Sequence, residues 1–292
     1  MNNVNTRSFI GIIAVLLIAA GLMWAGSQGS AKAGGFPVFA LCLILAFAIQ
    51  WIVFIPAYLR RTEKFFDLTG SLTYITLMLL ALLLSLSFDA RSLLLAVLVI
   101  IWAARLGTFL FMRIRAAGED RRFREIKQSF ARFLLTWTIQ GLWVSFTLAA
   151  ALAAVTSSLQ PDLGIPALIG LLVWIAGFSI EVIADQQKSR FKASPENAGK
   201  FIRSGLWSRS RHPNYFGEIL LWIGIAIIAL PVLRGWQYVT LISPLFVTLL
   251  LTRISGVPLL EKRADEKWGG QPDYEAYKAN TPVLVPRFLP KR

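Results

Sequence analysis

Long apolar runs recur along the whole chain, separated by polar stretches of varied length. A membrane-spanning helix needs about 20 mostly apolar residues to cross a hydrocarbon core about 30 Å thick. Because lipid offers the backbone no hydrogen-bond partners, such segments must satisfy their own peptide groups as helices. The pattern therefore predicts an all-α integral membrane protein with about eight transmembrane helices. The predicted spans are 9–25, 36–58, 69–88, 92–112, 133–155, 165–184, 215–233 and 236–256.

The distribution of basic residues predicts the orientation of these helices. The chain contains 30 Lys and Arg and has a net charge of +14. If the N-terminus is cytoplasmic, 25 of the 30 fall in cytoplasmic segments. Only Lys32, Arg91 and Arg234 fall in external segments, and Arg105 and Arg253 fall within or at the edge of spans. The positive-inside rule therefore predicts that both termini are cytoplasmic. The loop positions also argue against nucleic acid as the partner, and they suit membrane lipids or an anionic cofactor.

Three polar segments are longer than the rest, and all three are predicted to be cytoplasmic: 113–132, 186–214 and 257–292. Loops carry function more often than spans do, so these segments are candidates for the functional part of the chain. The last one holds five prolines and a predicted helix at 259–268, and we expect it to fold back on the cytoplasmic face.

The chain contains one cysteine and one histidine, and this limits the possible chemistry. Cys42 is the one cysteine and lies inside a predicted span, so the sequence predicts neither a disulfide framework nor a cysteine metal site. His212 is the one histidine, which excludes a multi-histidine metal centre. The first span follows Arg7 and precedes small residues, as in a signal peptide, but its apolar run is long and favours a retained anchor.

Ionisable residues continue the sixth predicted span into the cytoplasm. Glu181 and Asp185 are spaced i and i+4, so they share a helix face that Lys188 and Lys192 extend. Charges in hydrocarbon are costly and often functional. The four side chains either pair with one another or present donors and acceptors to a polar ligand at the membrane surface.

The densest polar signal is the run Ser210-Arg-His-Pro-Asn-Tyr-Phe-Gly-Glu218. Pro213 suits the first turn of a helix, and a helix N-terminus attracts phosphate. Arg211 and His212 would supply positive charge there. Asn214 and Glu218 share one face, and Gly217 permits close approach to the backbone. The alternative is a capped helix start with a snorkelling arginine and a structural histidine.

Three further charged residues lie in or beside spans. Arg105 lies in the middle of a span and Arg253 near the end of the last one. Each either snorkels or pairs with an acid, or contributes with Glu218 and Asp185 to a site for a phosphate-bearing ligand. Asp67 begins the third span and is either part of a plain helix start or an acid near a reacting group.

The motif at residues 210–218 resembles that of the membrane family of steroid 5-alpha-reductase-like proteins, especially its bacterial branch. The resemblance covers about residues 60–290, and the first span is additional to the seven of the characterised reductases. Further stretches that fit the family are Gly205-Leu-Trp207, Asp185-Gln-Gln-Lys188, Gly118-Glu-Asp-Arg-Arg122 and Asp273-Tyr-Glu-Ala-Tyr277.

The resemblance implies a helical bundle that binds NADPH between its last three spans and the cytoplasmic loops. It implies hydride transfer to a carbon–carbon double bond conjugated to a carbonyl, in an apolar steroid-like or related lipid. Asp67 falls near the position that polarises the enone oxygen. Trp102 falls near the place of the catalytic tyrosine, for which Tyr74 is a substitute. The predicted cofactor-binding residues are Arg105, Glu181, Asp185, Lys192, Arg211, His212, Asn214, Tyr215, Glu218 and Arg253.

Two other functions remain open at this point. Isoprenylcysteine and phospholipid methyltransferases share an Arg-His-Pro-x-Tyr helix start and would use S-adenosylmethionine. A non-catalytic lipid-binding or transport protein is the third possibility. We expect residues 1–35 to form an anchor span with an external loop, and 36–292 a reductase-like domain whose cofactor part is about 163–292. The expected location is the bacterial inner membrane, with the active site facing the cytoplasm.

Overall fold

The computed structural model describes residues 3–120 and 122–287 of the chain. Eight helical segments in it are long and apolar enough to cross a membrane, which confirms the all-α membrane class. The orientation of the termini stays a prediction. The α-helices are α1 (Asn3–Gly26), α2 (Val38–Leu59), α3 (Phe66–Ser85), α4 (Ala90–Ala117), α5 (Phe123–Ile126), α6 (Phe130–Val155), α7 (Ile165–Ala193), α8 (Pro213–Ala229), α9 (Ile242–Leu249), α10 (Val257–Trp268) and α11 (Pro272–Asn280).

Several boundaries differ from the predicted ones for physical reasons. Helix α4 continues to Ala117 and α7 to Ala193, because their polar last turns are good helix formers that hydropathy alone excludes. The eighth span is interrupted: a 3₁₀ segment, Gly235–Leu241, precedes α9, and a π-helical turn, Leu250–Ile254, follows it. A two-stranded hairpin, β1 (Lys32–Ala33) with β2 (Phe36–Pro37), was not predicted.

The chain divides into two compact units. The first comprises Met1–Ala167 and Ile228–Ser243, and the second Leu168–Ile227 and Pro244–Arg292.

Helix α6 is the centre of the first unit and contacts α1, α2, α3 and α4. Of its most apolar stretch 78% is buried, against 22% for α1. Ala149, Ala150 and Ala151 are fully buried. Small side chains let membrane helices approach closely, because van der Waals packing replaces the hydrophobic effect inside lipid.

Arg91 has a structural role in the first unit. Its side chain is 3% exposed, and its guanidinium donates to the carbonyl oxygens of Ile228 (3.0 Å) and Asp162 (2.8 Å). A loop between spans is thereby tied to a helix end by charge-assisted hydrogen bonds.

In the second unit α7 and α8 touch through their backbones. A Cβ atom added to Gly177 would lie 2.6 Å from the Gly217 oxygen, and one added to Gly217 would lie 2.6 Å from the Glu181 nitrogen. One added to Gly224 would lie 2.5 Å from the Gly170 oxygen. Glycines about two turns apart on each helix therefore allow α7 and α8 to pack this closely.

Candidate functional site

The predicted site residues fall into both units. Asp67, Tyr74 and Arg105 belong to the first unit, and the remaining members of the predicted set belong to the second.

The polar stripe of the sixth span lies on one continuous helix, as predicted. Helix α7 runs through Lys188 and Lys192 to Ala193. Glu181 and Asp185 are 3% and 7% exposed, whereas Lys192 is exposed to solvent. The stripe therefore passes from buried acids to exposed bases. Since Gly217 contacts α7 at Glu181, the predicted close approach at Gly217 is that of a neighbouring helix.

Helix α8 begins at Pro213, as the proline predicts. Just before it, the Ser210 hydroxyl accepts a hydrogen bond from the His212 backbone N–H (3.2 Å) and donates to the Leu284 carbonyl (2.7 Å). Ser210 is fully buried. The hydroxyl thus ties the start of α8 to the C-terminal tail.

Glu261 of α10 binds the two basic residues of the motif. One of its carboxylate oxygens pairs with the Arg211 guanidinium, and the other lies 2.7 Å from His212 Nε2. The His212 ring also stacks on Tyr215, with centroids 5.7 Å apart. Sequence inspection missed Glu261. The signal that could have found it is electrostatic. A half-buried arginine beside a helix start needs an acidic partner, and the C-terminal tail contains acidic residues.

His212 does not supply the positive charge that the sequence suggested. Burial of its side chain, which is 4% exposed, lowers the pKa of His212 below its usual value of 6.5, although Glu261 opposes the shift. The neutral ring has one donor and one acceptor nitrogen. With Nε2–H donating to Glu261, Nδ1 is the acceptor.

Three polar atoms of the motif have no hydrogen-bond partner within residues 3–120 and 122–287. They are Arg211 Nε, His212 Nδ1 and Asn214 Oδ1, and all three are buried. A buried polar atom without a partner costs about 1–3 kcal/mol, so such atoms call for an explanation. One donor and two acceptors close together in sequence are what a ligand with hydroxyl, amide and phosphate groups requires.

Two motifs quoted for the family resemblance bind each other. Gln187 Oε1 accepts from the Leu206 N–H (2.9 Å), and Trp207 Nε1 donates to the Ala184 carbonyl (3.0 Å). The Lys188 ammonium lies 4.3 Å from the centre of the Trp207 ring, within cation–π range. Gly205, at φ +60°, leaves the room that the Gln187 amide occupies. These contacts give the Asp-Gln-Gln-Lys and Gly-Leu-Trp runs a structural role.

The C-terminal tail folds back on the segment before α8, as expected from its prolines. The Arg211 N–H donates to the Pro282 carbonyl (2.9 Å), and the Arg287 N–H donates to the Arg209 carbonyl (3.0 Å). The Tyr277 hydroxyl donates to the Trp207 carbonyl (2.7 Å). Burial raises the pKa of Tyr277 above its usual value of 10.0, so this donor stays protonated.

A cavity of about 430 Å³ lies in the second unit between the end of α7, the loop after it and the α10–α11 turn. Aromatic rings and cations line it, as they line many nucleotide sites. Arg203, one of the cations, pairs with Asp273 (3.2 Å). The residues that define its character are Phe191, Lys200, Phe201, Arg203 and Trp268.

Arg253 lies in the π-helical turn of the eighth span and is exposed. Such turns are rare and often occur at functional positions. Gly256, just after the turn, faces Tyr215, since a Cβ there would lie 2.9 Å from the tyrosine ring. The predicted cofactor residue Tyr215 thus packs between His212 and Gly256.

In the first unit, Tyr74 contacts the residue that occupies the expected place of the catalytic tyrosine. The rings of Tyr74 and Trp102 meet edge to face, with centroids 5.2 Å apart, and Tyr74 is 5% exposed. Asp67, in the first turn of α3, lies 3.9 Å from Arg113. The Arg105 guanidinium lies over the Phe109 ring, 5.6 Å from its centre.

No group of three or more His, Cys, Asp and Glu side chains suited to a metal ion occurs within the described ranges 3–120 and 122–287.

A family model described as "Protein of unknown function (DUF1295)" matches residues 53–281 of the chain. The chain belongs to this DUF1295 family. The matched region starts within α2. That the first span is an addition to the family's bundle stays a prediction.

Curated relatives of this chain are named as reductases or dehydrogenases of steroids and sterols. A steroid 5-alpha-reductase of Gossypium hirsutum is 38% identical over 60 residues, 20% of this chain and 23% of the relative. A Delta(14)-sterol reductase of Arabidopsis thaliana is 27% identical over 103 residues, 32% of this chain and 25% of the relative. The 3-oxo-5-alpha-steroid 4-dehydrogenase 1 of Rattus norvegicus is 27% identical over 123 residues, 42% of each chain. The matches therefore cover between 23% and 42% of these relatives' lengths.

Proposed function

We propose that this protein is a membrane-embedded, NADPH-dependent reductase of a carbon–carbon double bond in an apolar, steroid-like enone. The names of its relatives supply the reaction class, since each acts on a steroid or sterol. The eight spans suit a substrate that enters from the bilayer. Location in a bacterial inner membrane, with the site facing the cytoplasm, is part of the proposal.

The observation that carries the proposal is the set of unpartnered buried atoms at the start of α8. Arg211 Nε, His212 Nδ1 and Asn214 Oδ1 match the donors and acceptors of a dinucleotide, which offers phosphate oxygens, hydroxyl groups and an amide. The residues present therefore fit NADPH. Glu218, one turn after Asn214 on the same face, and Asp185 of α7 would complete the polar lining.

Glu261 decides how the arginine can act. Because its carboxylate already neutralises part of the Arg211 charge, Arg211 would bind phosphate through Nε while Nη1 stays with Glu261. His212, neutral and fixed by Glu261 and Tyr215, would accept a hydrogen bond and carry no charge. In this assignment the motif positions the cofactor mainly by hydrogen bonds, and Lys192 and Arg253 add exposed positive charge.

When bound, NADPH would supply the hydride for one carbon of the double bond, and a proton from the protein or water would complete the reduction at the other. An acid or hydrogen-bond donor must stabilise the developing enolate oxygen. Tyr74 and Asp67 lie two turns apart on one face of α3, about 10 Å along the axis. We assign the enolate donor to Tyr74, since it is buried and contacts Trp102, and we assign Asp67 to the polar end of the same face of α3.

The test is cofactor binding by the purified full-length protein in detergent, with its ten tryptophans as the fluorescence signal. NADPH, NADH and S-adenosylmethionine are titrated separately. We expect saturable NADPH binding that is tighter than NADH binding. We expect Asn214→Ala and Glu218→Gln each to weaken it about tenfold, since the first removes a hydrogen-bonding side chain and the second removes the charge of the carboxylate.

Matched controls are Asn280→Ala and Glu266→Gln, which change the same residue types at exposed positions outside the motif. They should bind like the parent. Binding of S-adenosylmethionine alone would move the protein to the methyltransferases, and binding of none of the three would refute the cofactor assignment. A steroid enone that is reduced only with NADPH, and much more slowly by Tyr74→Phe, would establish the substrate class and the donor.

A further inference from the structure

A cleft of about 510 Å³ lies in the first unit, remote in sequence from the α8 motif. It is formed near the start of α1, the end of α5 and the start of α6. Its lining combines cations, hydroxyl groups and aliphatic side chains, and it contains no acid. The lining residues are Val4, Arg7, Ser8, Ile126, Arg132, Leu135 and Thr136.

The two cations of the cleft are without an acidic partner. Neither Arg7 nor Arg132 forms an ion pair with any residue in the part of the chain that the structure describes. Elsewhere in this unit basic groups near an acid do pair, as Lys127 does with Glu63 at 2.7 Å. Two guanidinium groups on one cleft, with no carboxylate between them, favour a bound anion.

Helices α1 and α6 place the two arginines in the same cleft as aliphatic side chains. Helices α1 and α6 contact each other at Gly11, where an added Cβ would lie 3.2 Å from the Leu135 side chain. A second contact lies next to the first turn of α6, where the Ser129 hydroxyl is 3.5 Å from Asn5 Oδ1. The arginines of the cleft lie near the starts of the two spanning helices, and Leu135 lies about one turn after Arg132 on α6.

We propose that this cleft binds the phosphate headgroup of an anionic membrane phospholipid, with one acyl chain along Leu135. Basic pockets between transmembrane helices bind such headgroups, and juxtamembrane basic residues are attracted to anionic leaflets. A soluble phosphate would use the arginines but not the aliphatic wall. The combination of both surfaces in one cleft therefore selects the lipid.

The test measures lipid binding to the full-length protein in detergent by native mass spectrometry. Phosphatidylglycerol and phosphatidylcholine are the probes, because they differ in headgroup charge. The parent should retain phosphatidylglycerol preferentially. The double variant Arg7→Gln/Arg132→Gln should bind it about tenfold more weakly, and each single variant should show part of this loss.

The matched control is Arg60→Gln/Lys64→Gln, which removes two exposed charges outside the cleft. It should retain the parent's lipid preference. Equal loss in the control would overturn the proposal in favour of diffuse surface charge, and full competition by millimolar inorganic phosphate would overturn it in favour of a simple anion site. Equal binding of the two lipids by the parent would also overturn it. Unchanged thermal unfolding of the lipid-free variants confirms that they are folded.

Discussion

The two units of this protein bury different kinds of residue. In the first, the central helix α6 is packed by alanines and large apolar side chains, and Ala149 to Ala151 are fully buried. In the second, α7 and α8 meet through Gly177 and Gly217, and the buried set beside them includes Glu181, Asp185 and His212. The first unit buries mostly hydrocarbon, whereas the second places ionisable groups inside its helix pair.

This difference marks the second unit as the candidate for binding a polar cofactor, while the predicted residues Asp67 and Tyr74 lie in the first unit. A buried ionisable group destabilises a membrane protein unless something pairs with it, so its presence indicates function. In the first unit the buried Glu63 has a complete set of partners, namely Lys127 (2.7 Å) and the Asp120 N–H (2.9 Å). In the second, Arg211 and His212 share one acid and each keeps an unpartnered polar atom.

The largest effect should follow from disrupting the glycine contact of the second unit. Gly177→Leu places a side chain against backbone atoms of α8 that lie 2.5–2.6 Å from the added Cβ, and these cannot move aside as a side chain would. We expect destabilisation of more than about 3 kcal/mol, or no folded protein. The measurement is thermal unfolding in detergent.

The control for this variant is Gly21→Leu on α1, where no atom lies within 4 Å of the added Cβ. Its stability should match the parent's within about 0.5 kcal/mol. If both variants unfold at the same temperature, α7 and α8 do not pack through their glycines.

A smaller loss is expected from overpacking the first unit. Ala150→Leu adds three carbon atoms at a fully buried position of α6, where the neighbours are side chains that can adjust in part. We expect about 1–3 kcal/mol of destabilisation. Ala20→Leu, at an exposed position of α1, is the matched control. Equal stability of the Ala150 and Ala20 variants would mean that α6 is not the packed centre of its unit.

Glu261→Gln tests the acid that holds the motif. It removes the charge that neutralises Arg211 but keeps an oxygen and the volume of the side chain. We expect a loss of about 1–3 kcal/mol in stability, because a partly buried arginine loses its counter-ion. Glu266→Gln on the exposed side of α10 is the control and should be neutral. A parent-like Glu261 variant would show that the pairing is only a surface contact.

Much of this architecture follows from sequence patterns, and the exceptions have physical causes. Apolar runs predict the spans because the bilayer imposes both length and helicity, and Pro213 predicts the start of α8. Hydropathy does not predict how far a polar helix continues, so the last turns of α7 were missed. Glu261 was missed because it is 50 residues from its partner Arg211, and no local pattern links residues so distant.

The stability of the folded protein should depend on pH through His212. Because the pKa of His212 in the folded protein is below 6.5, the folded state binds this proton less well than the unfolded state does. Its contribution to stability is therefore complete above pH 6.5 and falls as the pH is lowered. Glu261 opposes the shift, while Arg211 and Lys188 add to it. Stability measured between pH 7.5 and 5.5 should fall less steeply in His212→Gln, and parallel curves would contradict the burial of a neutral ring.

The smallest effect on stability is expected at Asp67, although this residue belongs to the predicted site. The Asp67 carboxylate lies 3.9 Å from the Arg113 guanidinium, and the side chains of Asp67 and Arg113 are 29% and 56% exposed. Exposed pairs of this kind contribute less than about 1 kcal/mol, so Arg113→Gln should leave the unfolding temperature nearly unchanged. Asp67→Asn should be equally stable yet slower in reducing a steroid enone, if Asp67 lies at the polar end of the site. A slow but stable Asp67 variant beside a fully active Arg113 variant would separate chemistry from packing in the first unit. Loss of stability in both would assign Asp67 to the fold alone.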